Sequence, residues 1–357
     1  MAEDSVAFDA AAIILPEDSA DSAQPVLLGA LADLTRFRIG TLVWGNAGLA
    51  ASSSDGLLDG VPANATCEEV VGRLAAIAHQ APLIRRMGRE IDNLHRLGAQ
   101  LNRYFSEIDQ ELRLAGRLQR DFLPREYPSV QGLAFGATYR PASWVSGDFY
   151  DLFRLDEEHV AFFIADAMGH GLAAGLLTMF LRQALITKRV SGREYALIDP
   201  ANVVASLNES LLSARLPSQQ FVTAVYGTVN PRSGEVRLSR AGHPYPILFR
   251  ADGTLEELRS DGALLGVADV GDEFPELRFT LNPGEKILLY TDGIEELLVD
   301  PREDSDAPPR FTSLVHGWRG LRAEQVIAGL NRHLDRQTGS LHPADDVTAV
   351  AIERVAD

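Results

Sequence analysis

Two apolar runs in this chain stop at an aspartate and a glycine turn. Residues 160–165 lead into Asp166-Ala167-Met168-Gly169-His170-Gly171, and residues 287–290 lead into Thr291-Asp292-Gly293. Two more aspartates have similar settings: Asp148 within Ser146-Gly147-Asp148-Phe149-Tyr150-Asp151, and Asp345 in Asp345-Asp346-Val347-Thr348, ahead of a last β-like stretch. A carboxylate where a buried strand meets a turn is costly unless a cation or hydrogen bonds compensate it. That cost restricts the folds open to the chain, because strand ends that converge can share one compensating site. Oxygen ligands of this kind suit hard divalent cations such as Mg²⁺ or Mn²⁺. Each aspartate alone reads as an ordinary turn residue; together they read as a metal site.

The chain has 357 residues, 46% of them hydrophobic, enough for one large domain and a smaller region. A formal net charge of −17 argues against nucleic acid or an anionic membrane as the main partner. Cys67 is the only cysteine, which excludes an intrachain disulfide and a thiolate zinc site. No His-x-His or His-Glu-x-x-His spacing supports zinc chemistry. The start lacks the positive charge of a secretory signal, and no apolar stretch approaches the ~20 residues of a membrane span. A cytoplasmic protein is expected.

Residues 1–24, rich in Ala, Asp and Ser, are expected to be disordered. Residues 25–78 form a small sensory or dimerisation region, which either resembles the front half of a PAS-type sensor or is a small α/β or helical cap. Residues 79–123 read as a coiled-coil linker. Ile84, Met87, Ile91, Leu94, Leu101, Phe105, Ile108, Leu112, Ala115 and Phe122 keep one a/d register, broken only by Gly98 and Gln119. Such a helix over 84–122 would run roughly 58 Å. Its seam is covered either by a second copy, giving a homodimer through residues 84–122, or by a hairpin with the N-terminal region. Pro124 stops it. Residues 124–357 alternate strands (133–140, 160–165, 221–229, 235–240, 247–250, 286–290, 347–353) with helices following the Asp166 turn and over 202–214 and 323–336, an α+β pattern.

The motifs resemble those of the metal-dependent PPM protein phosphatases, in the bacterial SpoIIE/RsbU-like branch. The resemblance covers residues 120–354, through Leu118-Gln-Arg-Asp-Phe-Leu-Pro124, Tyr139-Arg-Pro-Ala142, the Ser-Gly-Asp turn, Asp-Ala-Met-Gly-His-Gly, Ala241-Gly-His-Pro244, Tyr290-Thr-Asp-Gly293 and the final Asp-Asp-Val-Thr. It implies an αββα sandwich of two antiparallel sheets flanked by helices. It also implies hydrolysis of phosphoserine or phosphothreonine on a signalling partner, a STAS-type anti-sigma-factor antagonist, by a water bridging two Mn²⁺ or Mg²⁺ ions. Carried over by motif, Asp166 bridges both ions, the Ala167 carbonyl adds a ligand, Asp292 and Asp345 hold one ion, and Asp148 holds the other.

Several positions stay open. Asp346 competes with Asp345 as ligand, although the family's motif places the ligand first. Asp151 is either a carboxylate supporting the ligands or a solvated turn residue. The family's eukaryotic branch has a general-acid histidine where Met168 stands; His170 either faces the site or caps the following helix, and metal-bound water can protonate the leaving group instead. His243 reads as a structural turn residue. Two other functions compete with the phosphatase: a pseudophosphatase or phosphoprotein-binding module, and a dimetal hydrolase of small phosphate esters.

Overall fold

The computed structural model describes residues 10–14, 24–45, 57–169, 171–192, 194–214, 220–268, 271–301, 308–337 and 345–355. The chain divides into two compact units, Met1–Glu107 and Ile108–Asp357. In the first, β1 (Ala10–Ile14), α1 (Gln24–Arg36), β2 (Gly40–Trp44) and β3 (Leu58–Val61) build a parallel sheet of order β1-β2-β3. The strand β1 lies within the stretch expected to be disordered. It is ordered because all five of its residues pair in register with β2, from Ala10 opposite Gly40 to Ile14 opposite Trp44, a ladder that composition does not reveal.

The helix α2 (Cys67–Asp121) crosses the unit boundary. It begins ahead of the heptad stretch, where the Thr66 hydroxyl accepts the Glu69 N–H at 3.3 Å and Glu68 and Glu69 set negative charge in the first turn. Ile77 packs with Leu42 and Val61 beneath the small sheet. Along the heptad seam Met87, Ile91, Leu94, Leu101 and Phe105 are exposed.

The second unit is built from β4 (Leu133–Arg140), β5 (Asp148–Arg154), β6 (Val160–Ala167), α3 (Leu172–Ala184), a β7 (Lys188–Ser191) and β8 (Glu194–Leu197) hairpin, α4 (Pro200–Ala214), β9 (Val222–Val229), β10 (Glu235–Ala241), β11 (Ile247–Phe249), β12 (Leu255–Glu257), β13 (Glu276–Thr280), β14 (Lys286–Tyr290), the short α5 (Glu295–Leu298) and α6 (Ser313–His316), α7 (Ala323–Asp335) and β15 (Val347–Arg354). Two five-stranded sheets result, β13-β10-β9-β6-β5 and β12-β11-β14-β15-β4. Every pairing within them is antiparallel.

Alternation along the strands sorts side chains into layers. Phe162 and Ile164 of β6, Leu152 of β5, Ile287 and Leu289 of β14 and Val350 of β15 meet in a core between the sheets. The intervening Ala161, Phe163 and Ala165 pack instead under Leu177 and Leu181 of α3 and Leu207 of α4. On the far side Leu288, Tyr290, Ala349 and Ala351 pack under Val326 and Leu330 of α7. The layers are therefore helix, sheet, sheet, helix, the αββα sandwich that the resemblance implies. Both faces of each sheet are covered, so the central strands are near-continuous apolar runs and any carboxylate among them stands out.

Candidate metal centre

The β5–β6 ladder sets Asp148 directly opposite Asp166. Asp148 opens its strand; Asp166 lies one residue before the end of β6. Both share strand parity with the residues between the sheets (Tyr150 and Leu152, Phe162 and Ile164), so both carboxylates are directed into that space. Asp148 is only 1% exposed. Its amide donates to Ser146 Oγ at 3.0 Å, and its Oδ2 accepts the Thr291 hydroxyl at 2.8 Å.

The second sheet brings its carboxylates to the same end. Tyr290 pairs with Ala349, so the residues after β14 and before β15 emerge side by side. Asp292 begins a 3₁₀ turn there. Asp346, of one parity with Thr348, Val350 and Ile352, points inward, and both its oxygens are occupied: Oδ1 by the Ala142 N–H and Oδ2 by the Gly147 N–H, each at 2.7 Å. Asp345 is exposed and, among the described residues, accepts only the Asp346 amide, at 2.8 Å. The two neighbours thus differ in kind: one is committed to holding backbone, the other is available to a ligand.

Gly147 sits where no side chain fits. A Cβ there would lie 2.6 Å from the Gly169 carbonyl oxygen and 2.8 Å from that of Ala167. The Ala167 carbonyl therefore packs against the turn that carries Asp148.

Burial, reinforced by like charge, sets the electrostatics. Burial, and then the charges of Asp292, Asp345 and Asp346, push the Asp166 carboxyl up to about 7. Burial and the charge of Asp166 raise Asp148 well above the usual carboxylate range, and burial with Asp345 raises Asp292. Among the described residues no Arg or Lys makes an ion pair with any of these aspartates, and no three His, Cys, Asp or Glu side chains are grouped closely enough to hold a metal ion as they stand. The donor set, all oxygen and mostly carboxylate, nonetheless fits hard divalent cations, whose charge would offset the repulsion.

Asp151 is neither a turn residue nor near this space. It lies inside β5 on the helix-facing side, buried, with Oδ2 2.8 Å from Arg182 Nε of α3, an ion pair without hydrogen-bond alignment. Met168, where the eukaryotic branch has histidine, is partly exposed and has no proton to give. His170 lies outside the described residues. His243 is fully buried, its Nδ1 2.8 Å from Thr223 Oγ1. Thr223 in turn pairs with Asp166 in the β6–β9 ladder. Sequence reasoning had not singled out Thr291 or Ser146, although each lies within two residues of an aspartate ligand candidate.

Two facing antiparallel sheets under helical layers, with strand-end carboxylates gathered at one end, define the architecture of the PPM class of phosphatases. The solved PP2C domain of SiaA from Pseudomonas aeruginosa shares this fold, with a TM-score of 0.54 and 20% identity over 70% of this chain and 97% of that one. The family described as Stage II sporulation protein E (SpoIIE) matches residues 156–355. Phosphoserine phosphatase RsbU of Bacillus subtilis (strain 168) is 28% identical over 250 residues, 70% of this chain and 71% of RsbU. Phosphoserine phosphatase RsbP of the same organism is 28% identical over 189 residues, 52% of this chain but 45% of RsbP. The chain belongs to the SpoIIE family of PPM-type protein-serine/threonine phosphatases.

Proposed function

We propose that the chain removes phosphate from serine or threonine of a signalling protein, a STAS-type anti-sigma-factor antagonist, using two divalent cations, Mn²⁺ or Mg²⁺. Asp148, Asp166, the Ala167 carbonyl, Asp292 and Asp345 would hold them. The observation that carries this reading is the convergence of β5, β6, β14 and β15, from both sheets, on one carboxylate-lined end that, among the described residues, no Arg or Lys neutralises. Phosphoserine is the group named for RsbU and RsbP. Bound there, two cations supply an activated water and offset charge on the phosphoryl oxygens.

The chain's own groups hold the ligands in place. Thr291 fixes one oxygen of Asp148, Asp346 fixes the Gly147 amide beside it, and the β5–β6 ladder fixes Asp148 against Asp166. Between the sheets, burial strips water from these groups and strengthens each interaction. The exposed seam residues Met87, Ile91, Leu94, Leu101 and Phe105 support homodimer formation through residues 84–122, and the cytoplasm is the proposed location.

The test is phosphate release from a phosphoserine STAS-type protein with Mn²⁺, with EDTA and with Asp166→Asn. Turnover that requires Mn²⁺ and is lost in the variant is expected. Mn²⁺ binding and tight capture of the phosphoprotein without turnover would point to a pseudophosphatase, and turnover confined to small phosphate esters to a metabolic hydrolase. A chain that binds no Mn²⁺ would remove the metal reading.

A further inference from the structure

Gln119 interrupts the heptad of α2 where an apolar residue is expected, and the structure gives the interruption a purpose. The side chain is 4% exposed, and both ends of its amide are used twice. Oε1 accepts the Ser146 N–H at 2.9 Å and the Tyr139 hydroxyl at 3.2 Å. Nε2 donates to the Ser146 carbonyl at 2.7 Å and lies 3.4 Å from Thr178 Oγ1. One side chain therefore grips both the N–H and the C=O of one residue, as a neighbouring β-strand would. Ser146 in turn accepts the Asp148 amide on its Oγ, and Thr178 belongs to α3, the helix that follows the Asp166 turn.

We infer that Gln119 is a positioning residue of the metal-bearing turn: its amide fixes the Ser146 peptide, and with it the backbone of Asp148, to the ends of α2 and α3. The inference rests on the reading of Asp148 as a metal ligand given above. A primary amide presents a donor and an acceptor at one end at any pH, as this grip requires. Leucine would satisfy the heptad and leave a buried N–H and C=O unpaired; an ionised glutamate would keep the acceptor, lose the donor and turn an anion toward the Ser146 carbonyl.

A second clasp lies one to three turns earlier on the same helix. Trp144 Nε1–H donates to Asp109 Oδ1 at 2.8 Å, and the Arg113 guanidinium stacks 4.3 Å over the Trp144 ring while pairing with Asp109. Between the two clasps a Cβ at Gly116 would land on the Trp144 carbonyl oxygen, so the helix touches the loop backbone directly. Positions 109, 113, 116 and 119 form one helical stripe, and it holds the loop leading into Asp148. The end of α2 is thus part of the site's scaffold, and position 119 is occupied within the chain rather than offered to a coiled-coil partner.

The experiment compares the full-length chain with Gln119→Leu, reading Mn²⁺ affinity by calorimetry, amide exchange over residues 145–149, and thermal unfolding in EDTA. The expected Leu variant unfolds cooperatively, binds Mn²⁺ at least tenfold more weakly, and exchanges faster over residues 145–149 but not in β9 or β10. Its turnover recovers at excess Mn²⁺, which a general folding defect would not permit. Wild-type Mn²⁺ affinity together with unchanged exchange overturns the inference. Should the Leu variant fail to fold, Gln119→Met, of similar length and without either polar atom, decides in its place: a tenfold loss of Mn²⁺ affinity supports the role and wild-type affinity overturns it. A wild-type chain that binds Mn²⁺ without releasing phosphate defeats the phosphatase reading alone, and binding and exchange still decide Gln119. With no Mn²⁺ binding at all, the exchange comparison decides by itself.

Discussion

The Thr291 hydroxyl donates to Asp148 Oδ2 at 2.8 Å and accepts the Thr348 amide at 3.0 Å, joining the two sheets beside the carboxylates. Three strands depend on that one oxygen. Thr291→Val keeps the shape and leaves a buried carboxylate and a buried N–H without their partner, a loss on the order of 2–3 kcal/mol. For a domain of this size, Tm in EDTA falls by about 5–10 °C. Thr291→Ser, which keeps the oxygen, should stay near wild type. A valine variant with unchanged Tm and Mn²⁺ affinity would show that the sheets need no such tie.

Asp345 and Asp346 should separate cleanly. Asp345→Asn removes an exposed anion whose only hydrogen bond among the described residues is to the next amide, so the fold is retained while Mn²⁺ affinity drops at least tenfold. Asp346→Ala strips partners from the Ala142 and Gly147 amides and costs on the order of 3 kcal/mol, read by urea unfolding. Full Mn²⁺ affinity in Asp345→Asn would reassign the ligand.

His243 predicts an acid limit to stability. Burial first, and then the nearby Arg240 charge, lower its pKa from 6.5 to about 3, so the folded ring is neutral. The unfolded chain takes up a proton there below about pH 6.5. The stabilisation is complete above pH 6.5 and is lost as pH falls toward 3, about 2 kcal/mol by pH 5. In the difference between wild type and His243→Gln, the wild type should lose stability more steeply over that range. Parallel curves would exclude the buried ring as the cause.

Mn²⁺ should stabilise the fold by mass action, about 2.7 kcal/mol at a hundredfold excess over Kd. Asp166→Asn should abolish that shift and, by removing one of several facing anions, raise Tm in EDTA. A variant that still gains stability from Mn²⁺ would place the ion elsewhere.

Much of this was readable from the chain. The bounds of β4 and β14 follow from their apolar runs and flanking polar residues, and the Asp166 and Asp292 turns mark where their strands stop. The strand β5 escaped, because its first five residues are all buried and include two carboxylates, Asp148 and Asp151. Alternation does not signal such a segment, and its two aspartates work against the strand propensity of Phe149, Tyr150 and Phe153. Asp346 competes with Asp345 in the sequence, where only the motif's order favours Asp345, since the physical difference lies in two amides some two hundred residues away. Gln119 looked like a defect in a heptad for the same reason: its partners Ser146 and Thr178 are 27 and 59 residues distant. Periodicity reports which face of an element is apolar and is silent on which polar atom meets which.

Because Asp148 and Asp166 are register partners, their Cα atoms inherit the spacing of any antiparallel pair, about 4.5–5.5 Å. The ladder is a ruler with one graduation. Substitutions elsewhere in β5 or β6 can tilt or bury these two carboxylates, but they cannot move them apart. Only an inserted residue, a bulge in one strand, would reset the gauge. A single-residue insertion or deletion close to either aspartate should therefore be far less tolerated than a point change at the same place, and this end of the sandwich should keep its length while its side chains drift.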